Sequence, residues 1–170
     1  RIDVLVANAG LINGGKPEEM GEAEWRQTLD VNLSGVFFSA QAVHAHMKAA
    51  GGGKILAVGS MMSLFGSARG ADYSASKGGV VQLTKSLAIA WARDNIQVNA
   101  ILPGWLVTDM VADAKENAPG FNDRILARTP AKRWGEPRDL EGVAIFLCSA
   151  ASDFVTGAAI AVDGGFSVAG

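Results

Sequence analysis

The sequence predicts an α/β fold, a parallel sheet with helices on both faces, and two observations carry that prediction. Short, β-branched apolar runs alternate with longer segments whose apolar residues recur every three or four positions. Glycine is abundant, with 21 residues in a chain of 170, and aromatics are sparse at 7%, a composition that suits tight turns and close helix-on-strand packing. The succession strand, helix, strand, helix, strand, helix, strand further predicts right-handed crossovers between neighbouring parallel strands.

The elements follow in order. Ile2–Ala7 is a short, nearly continuous apolar run stopped by Asn8-Ala9-Gly10, which reads as a strand buried on both faces. A polar, glycine-rich loop runs to Gly21. From Glu22 to Lys48 the residues Trp25, Leu29, Leu33, Val36, Phe37 and Val43 recur at helical spacing, with Asn32 marking a kink between two helical pieces. Gly51-Gly52-Gly53 ends that helix, and Lys54–Ser60 forms the second strand. A loop through Met61, Phe65 and Gly66 leads to a second long helix, Asp72 to Arg93, which Asp94-Asn95 breaks. Ile96–Ile101 is the third strand, closed by Pro103-Gly104. Leu106–Arg133 reads as one or two helices on a mobile flap, with Trp134 anchoring its end to the core. Pro137 suits the first turn of a helix running through Cys148. Ala158–Val162 is the last strand, turned off by Asp163-Gly164-Gly165.

Composition bounds the function classes. At 17.6 kDa the chain is one domain, residues 1–170, with a sizeable core. A net charge of -2 from 15 basic and 17 acidic side chains argues against nucleic acid as a partner, which would demand a basic stripe. No apolar run approaches the length of a membrane span. Cys148 is the single cysteine, so neither an internal disulfide nor a cysteine metal cluster is available, and a reducing, cytoplasmic setting is the default. His44 and His46 stand two apart on a helix and do not share a face, so no metal site is expected. The motifs taken up below carry a resemblance that implies a small-molecule substrate.

In a parallel α/β sheet the chemistry gathers at the carboxyl ends of the strands. Asn8, Ser60 and Pro103-Gly104 all fall there. Tyr73-Ser74-Ala75-Ser76-Lys77 adds the chain's one tyrosine and a lysine four residues on, on one helix face. A phenol is too weak an acid for neutral pH, and a cation held close lowers its pKa toward useful acid/base chemistry. Met61, Met62, Phe65 and Trp105 suit either core packing or the lining of a substrate pocket. Arg69 and Asp72, beside Tyr73, suit contact with a polar substrate, but read first as solvated loop charges.

Asn8-Ala9-Gly10, Asn32, Ser60, Tyr73 with Lys77, Pro103-Gly104 and Asp163-Gly164-Gly165, taken together in this order, resemble the short-chain dehydrogenase/reductase family in its compact branch, over the whole chain. The resemblance implies a Rossmann-like, doubly wound sheet, of which this chain holds the C-terminal two thirds. It also implies an NAD(P)-dependent oxidoreductase interconverting a secondary alcohol and a ketone. In it Tyr73 matches the acid/base, and Lys77 the residue that lowers the tyrosine pKa and binds the nicotinamide ribose. Ser60 matches the serine that holds the substrate oxygen. Asn32 matches the asparagine that supports Lys77 through a water and a proton relay. Asn8, Ala9 and Gly10 resemble the turn near the adenine side of the dinucleotide. Pro103, Gly104, Leu106 and Thr108 resemble the stretch that embraces the nicotinamide.

The family's opening strand, glycine-rich phosphate-binding turn and NAD-or-NADP selector are not found in the sequence. The expectation is therefore an N-terminally truncated member whose first strand has lost its neighbour. NAD and NADP both stay open, as does a non-catalytic remnant or oligomerising scaffold that binds no cofactor. Arg133-Trp134-Gly135 and Ala151-Ser152-Asp153 resemble reductases of sugar acids, polyols and 3-oxoacyl thioesters. The resemblance implies a homotetramer or homodimer, and the wide apolar arcs of the two long helices agree with a second buried face.

Overall fold

The computed structural model describes residues 1–109 and 118–169. Strands β1 (Val4–Ala7), β2 (Gly53–Val58), β3 (Ile96–Pro103) and β4 (Ala159–Val162) form one parallel sheet in the order β1-β2-β3-β4. Ile55 lies opposite Val98, Ala57 opposite Ala100, and Ile101 opposite Ile160. Among the described residues, five α-helices accompany the sheet: α1 (Glu22–Leu29), α2 (Gly35–Ala49), α3 (Ala71–Trp91), α4 (Phe121–Arg128) and α5 (Glu141–Leu147).

Strand alternation decides what each helix covers. Ile55, Ala57, Val98 and Ala100 point to one face, where they meet Val36, Ala40 and Met47 of α2 and Val80, Leu87 and Ala88 of α3. Leu56 and Ile101 point to the other, against Leu147 of α5. These side chains are almost all below a tenth exposed, and each fully buried aliphatic contributes about 1.5–3 kcal/mol relative to exposure.

Two sequence expectations are corrected here. The strand at Ile2–Ala7 begins at Val4 and is not buried on both faces: Val4 and Val6 are 40% and 50% exposed. Among the described residues β1 stands at the edge of the sheet, with α2 on one face. The crossovers are not all of one hand either. β1–β2 and β2–β3 connect over the α2/α3 face, and β3–β4 over the α5 face while stepping the same way across the sheet, so its hand is opposite. The usual right-handed rule derives from a strand feeding directly into a helix. The β3–β4 connection is too long and too folded for that constraint to bind.

The kink read at Asn32 is a π-helical turn, Asp30–Ser34, joining α1 to α2. It packs tightly on α3: a Cβ at Gly79 would lie 2.8 Å from Leu33 Cδ2, so a side chain there would force the end of Leu33 to move. Pro137 opens a 3-10 turn, Pro137–Leu140, that runs into α5, and Cys148 caps it. Of the flap, α4 is described, while the part of that reading falling on 110–117 lies outside the described residues. Ile125 of α4 joins Met61, Trp134 and Phe166 in a separate core, and Trp134 Nε1 donates to Asn122 Oδ1 at 2.9 Å. Trp134 anchors the flap's end as expected.

Candidate active site

The carboxyl ends of β1, β2 and β3 open onto a cleft of about 770 Å³. Asn8, Ala9 and Gly10 line it from the end of β1, Ser60 from the end of β2, and Pro103, Gly104, Leu106 and Thr108 from the end of β3. Tyr73 and Lys77, on the first two turns of α3, line it as well. Phe65, offered as pocket lining, is not in the wall, and of the residues expected at the site itself only Asn32 is not. It lies fully buried behind it.

Ser60 caps a 3-10 turn, Met61–Ser63. Its Oγ accepts from the Met62 N–H at 3.1 Å, and its own N–H donates to Ser63 Oγ at 3.2 Å. Ser63 Oγ in turn donates to the Lys77 carbonyl at 2.7 Å, tying the rim of β2 to α3. With Met62 occupying one lone pair, the Ser60 proton is left for an oxygen in the cleft.

Lys77 is 3% exposed. Its Nζ donates to the Val58 carbonyl at 2.7 Å and stands 5.7 Å from the centre of the Tyr73 ring. Burial pushes its pKa from 10.5 down to about 8, because an ammonium out of water is disfavoured against the neutral amine. The Tyr73 phenol moves the other way. Burial raises it above its ordinary value, and the Ser60 hydroxyl opposes that rise. The expectation that Lys77 lowers the phenol is thus not met in this state. Its ammonium is directed at the Val58 carbonyl, and burial of the phenol outweighs the help from Ser60.

Asn32 holds the loop after β1. Its Oδ1 accepts from the Leu11 N–H at 2.8 Å, and its Nδ2 donates to the Leu11 carbonyl at 2.8 Å and to Ser76 Oγ at 3.1 Å. Ser76 Oγ passes the bond on to the Tyr73 carbonyl at 2.8 Å. Gly10 sits between this amide and the lysine: a Cβ there would come within 3.3 Å of Lys77 Nζ and 3.4 Å of Asn32 Oδ1. A Cβ at position 10 would press on the lysine by a few tenths of an ångström and meet the amide near ordinary contact distance.

Leu106 forms a parallel bridge to Gly135, closed by Val107 N–H to Gly135 O and Gly135 N–H to Trp105 O, each at 2.9 Å. In such a bridge the central residue's own N–H and C=O point away from its partner. Leu106 therefore offers the cleft side one donor and one acceptor.

A family model described as enoyl-(acyl carrier protein) reductase matches residues 1–167. The chain belongs to the short-chain dehydrogenase/reductase family. The 2-dehydro-3-deoxy-D-gluconate 5-dehydrogenase of Escherichia coli is 46% identical over 170 residues, covering 97% of this chain and 65% of that protein. The 5-keto-D-gluconate 5-reductase of Escherichia coli is 45% identical over 168 residues, covering 99% and 66%. Among solved structures, a gluconate 5-dehydrogenase from Burkholderia cenocepacia, in complex with NADP and tartrate, superposes with a TM-score of 0.96 at 44% identity, over 99% of this chain and 66% of that one. This short-chain dehydrogenase/reductase chain thus spans about two thirds of the length of the proteins it matches, 65% of the first.

Sequence reasoning missed one buried cluster in this short-chain dehydrogenase/reductase. Asp72, read as a solvated charge, is fully buried, as is Thr28. Thr28 Oγ1 donates to Asp72 Oδ2 at 2.7 Å, the Asn13 N–H approaches the same oxygen at 3.4 Å, and Asn13 Nδ2 donates to Thr28 Oγ1 at 3.1 Å. Burial pushes the Asp72 carboxyl up, but Thr28 and the backbone N–H groups of Tyr73, Gly14 and Asn13 together outweigh it and hold it below its ordinary value. Thr28 and Asp72 are 44 residues apart, so no spacing announces the pair. The one available signal was an acidic residue in the first turn of a helix, where the dipole favours it.

Proposed function

We propose that the protein is an NAD(P)-dependent oxidoreductase that interconverts a secondary alcohol and a ketone of the sugar-acid class. One observation carries this reading: the chain's one tyrosine, the Ser60 hydroxyl and the buried Lys77 ammonium face a single cleft at the carboxyl rim of the sheet. Tyr73 gives or takes the proton of the substrate oxygen. Ser60 holds that oxygen with a hydroxyl whose acceptor side is already occupied by Met62. Lys77 places an ammonium 5.7 Å from the centre of the Tyr73 ring and is a donor to the ribose of the cofactor. Asn32 keeps Leu11 and Ser76, and through them the cleft wall and the start of α3, in place. Oxygen gains negative charge as hydride reaches carbon, so donors held in place beforehand lower the barrier most.

The residues present fit a nicotinamide dinucleotide. The cleft is lined by the Lys77 ammonium at its buried end and by no acidic side chain among the described residues. Gly10 leaves open the space a Cβ would fill, and the free N–H and C=O of Leu106 match the acceptor and donor of a carboxamide. Asn8, Ala9 and Gly10 would lie toward the adenine side, and Pro103, Gly104, Leu106 and Thr108 around the nicotinamide. The bound cofactor supplies the hydride. NADP in related structures favours that form, with NAD as the alternative. The sugar-acid class is supported by the names of the relatives.

We further propose a cytoplasmic protein, where a lone Cys148 stays reduced, and a homotetramer or homodimer. Phe38 on α2 and Ile89 on α3, 60% and 81% exposed, support helix pairing across a two-fold axis. The test of the catalytic reading is Tyr73→Phe, which removes one oxygen and leaves the ring. Oxidation of D-gluconate followed by NADPH formation should fall far more than tenfold in kcat/KM. A variant retaining a tenth of wild-type kcat/KM, a loss of about 1.4 kcal/mol, would remove Tyr73 from the chemistry.

A further inference from the structure

We infer that Arg69 is the anchor for the substrate's carboxylate and so determines that this cleft takes acids in preference to neutral polyols, an inference that rests on the sugar-acid reading above. Among the described residues two cations line the cleft, and they differ in what they touch. Lys77 is buried and bonded to the Val58 carbonyl. Arg69 is exposed, and its guanidinium makes no ion pair or hydrogen bond with any described residue. Its backbone is the opposite of free. The Arg69 carbonyl accepts from the Gly15 N–H at 3.0 Å, and its N–H points to Ser67 Oγ at 3.4 Å. Gly70, next in sequence, is buried at the start of α3. The side chain is thus a free guanidinium on a fixed stem, four residues before Tyr73.

The acid nearest to it in sequence cannot neutralise it. Asp72 is fully buried and turned away into Thr28 and Asn13. No aspartate or glutamate lines the cleft among the described residues, so the charge these residues bring to it is positive, and low-dielectric walls focus its field. A guanidinium presents parallel N–H groups that match a carboxylate, and it stays charged at all working pH values. Most of the remaining wall beside it, Ile12, Met61, Met62 and Phe121, is apolar and offers a hydroxyl-bearing chain shape but little charge recognition. A sugar acid carries its carboxylate at one end and its secondary hydroxyls along the chain. Fixing the carboxylate at Arg69 leaves a carbon farther along the chain to present its oxygen to Ser60 and Tyr73.

The test is calorimetric titration of the full chain, with NADPH in the buffer so that an alcohol substrate cannot turn over. D-Gluconate is compared with D-glucitol, the neutral polyol of the same length, on wild type, Arg69→Ala and Arg69→Lys. Wild type should bind gluconate at least roughly tenfold more tightly than glucitol, and Arg69→Ala should erase that preference while leaving glucitol affinity unchanged. Arg69→Lys should restore part of it, since charge returns without the bidentate geometry. If gluconate is preferred and Arg69→Ala keeps the preference, the carboxylate is held elsewhere and the assignment to Arg69 is overturned, with the sugar-acid reading intact. If wild type binds both ligands equally, the anchor is overturned and a polyol oxidoreductase remains. If it binds neither, the sugar-acid reading falls together with the anchor.

Discussion

Lys77→Met should stabilise the protein at neutral pH, and the gain should disappear in alkaline solution. In the unfolded chain the lysine keeps its proton up to about 10.5, and in the folded protein only to about 8, because burial disfavours the charge. Between those two pH values the unfolded state binds more protons, so the stability of the wild type rises with pH. This contribution is fully present above the unfolded value and is lost as the pH falls through 8. The gap amounts to roughly 3 kcal/mol. At pH 7 the wild type therefore carries a buried ammonium whose desolvation the Val58 bond offsets only in part. Methionine fills a similar unbranched volume without charge. Removing the bond to the Val58 carbonyl subtracts about 1–2 kcal/mol, which leaves a net gain of roughly 1–2 kcal/mol at pH 7 and none, or a reversal, at pH 10.

Urea unfolding of both proteins at the two pH values measures this directly. The decisive quantity is the change of the difference between variants, since the lost hydrogen bond is common to both conditions and cancels. Between pH 7 and pH 10 that difference should move by about 2–3 kcal/mol. A shift below about 0.5 kcal/mol would mean that Lys77 carries no desolvation penalty, and the account of its lowered pKa would be wrong. The same substitution should abolish turnover, because it removes the donor proposed for the ribose of the cofactor.

Two further outcomes follow from the geometry. Asn32→Ala strips partners from the Leu11 N–H, the Leu11 carbonyl and the Ser76 hydroxyl at a site with no exposure, and should lower stability by roughly 3–5 kcal/mol in urea unfolding; a loss under about 1 kcal/mol would show that water replaces the amide without penalty. Phe38→Glu with Ile89→Glu, changing exposed apolar residues on α2 and α3, should convert a sedimenting assembly into a smaller species without loss of helix content, whereas an unchanged sedimentation coefficient would place the subunit contacts elsewhere.

The strands were readable because β2 and β3 are buried on both faces, so their apolar runs are nearly continuous and end where burial ends, at Ser60 and Pro103. β1 was misread for the same reason. Val4 and Val6 are as β-branched as any core residue, and nothing in their identity records that their face stays exposed here. Asn32 was legible as a break because a polar residue interrupted an apolar helical period. Asp72 was not, since its burial depends on Thr28 and Asn13, which only the folded chain brings to it. Tyr73 and Lys77 were found by spacing, but the direction of the Tyr73 shift depends on burial and on where Nζ points. Neither quantity is local.

Three buried polar side chains, Asn32, Asp72 and Lys77, at 0%, 0% and 3% exposure, converge on the first two turns of α3. For stability alone, apolar residues of similar volume would serve as well or better. Each instead meets the loop after β1 or the rim of β2: Asn32 at Leu11, Asp72 at Asn13, Lys77 at Val58. Remove any one, and a wall of the cleft loses a fixed point on the helix that carries the phenol. Such a corner makes sense when its geometry must hold while charge develops beside it, because donors already in place need no reorganisation at the moment of reaction. The mild instability built into Lys77 is then a condition of the chemistry and not a flaw in the packing.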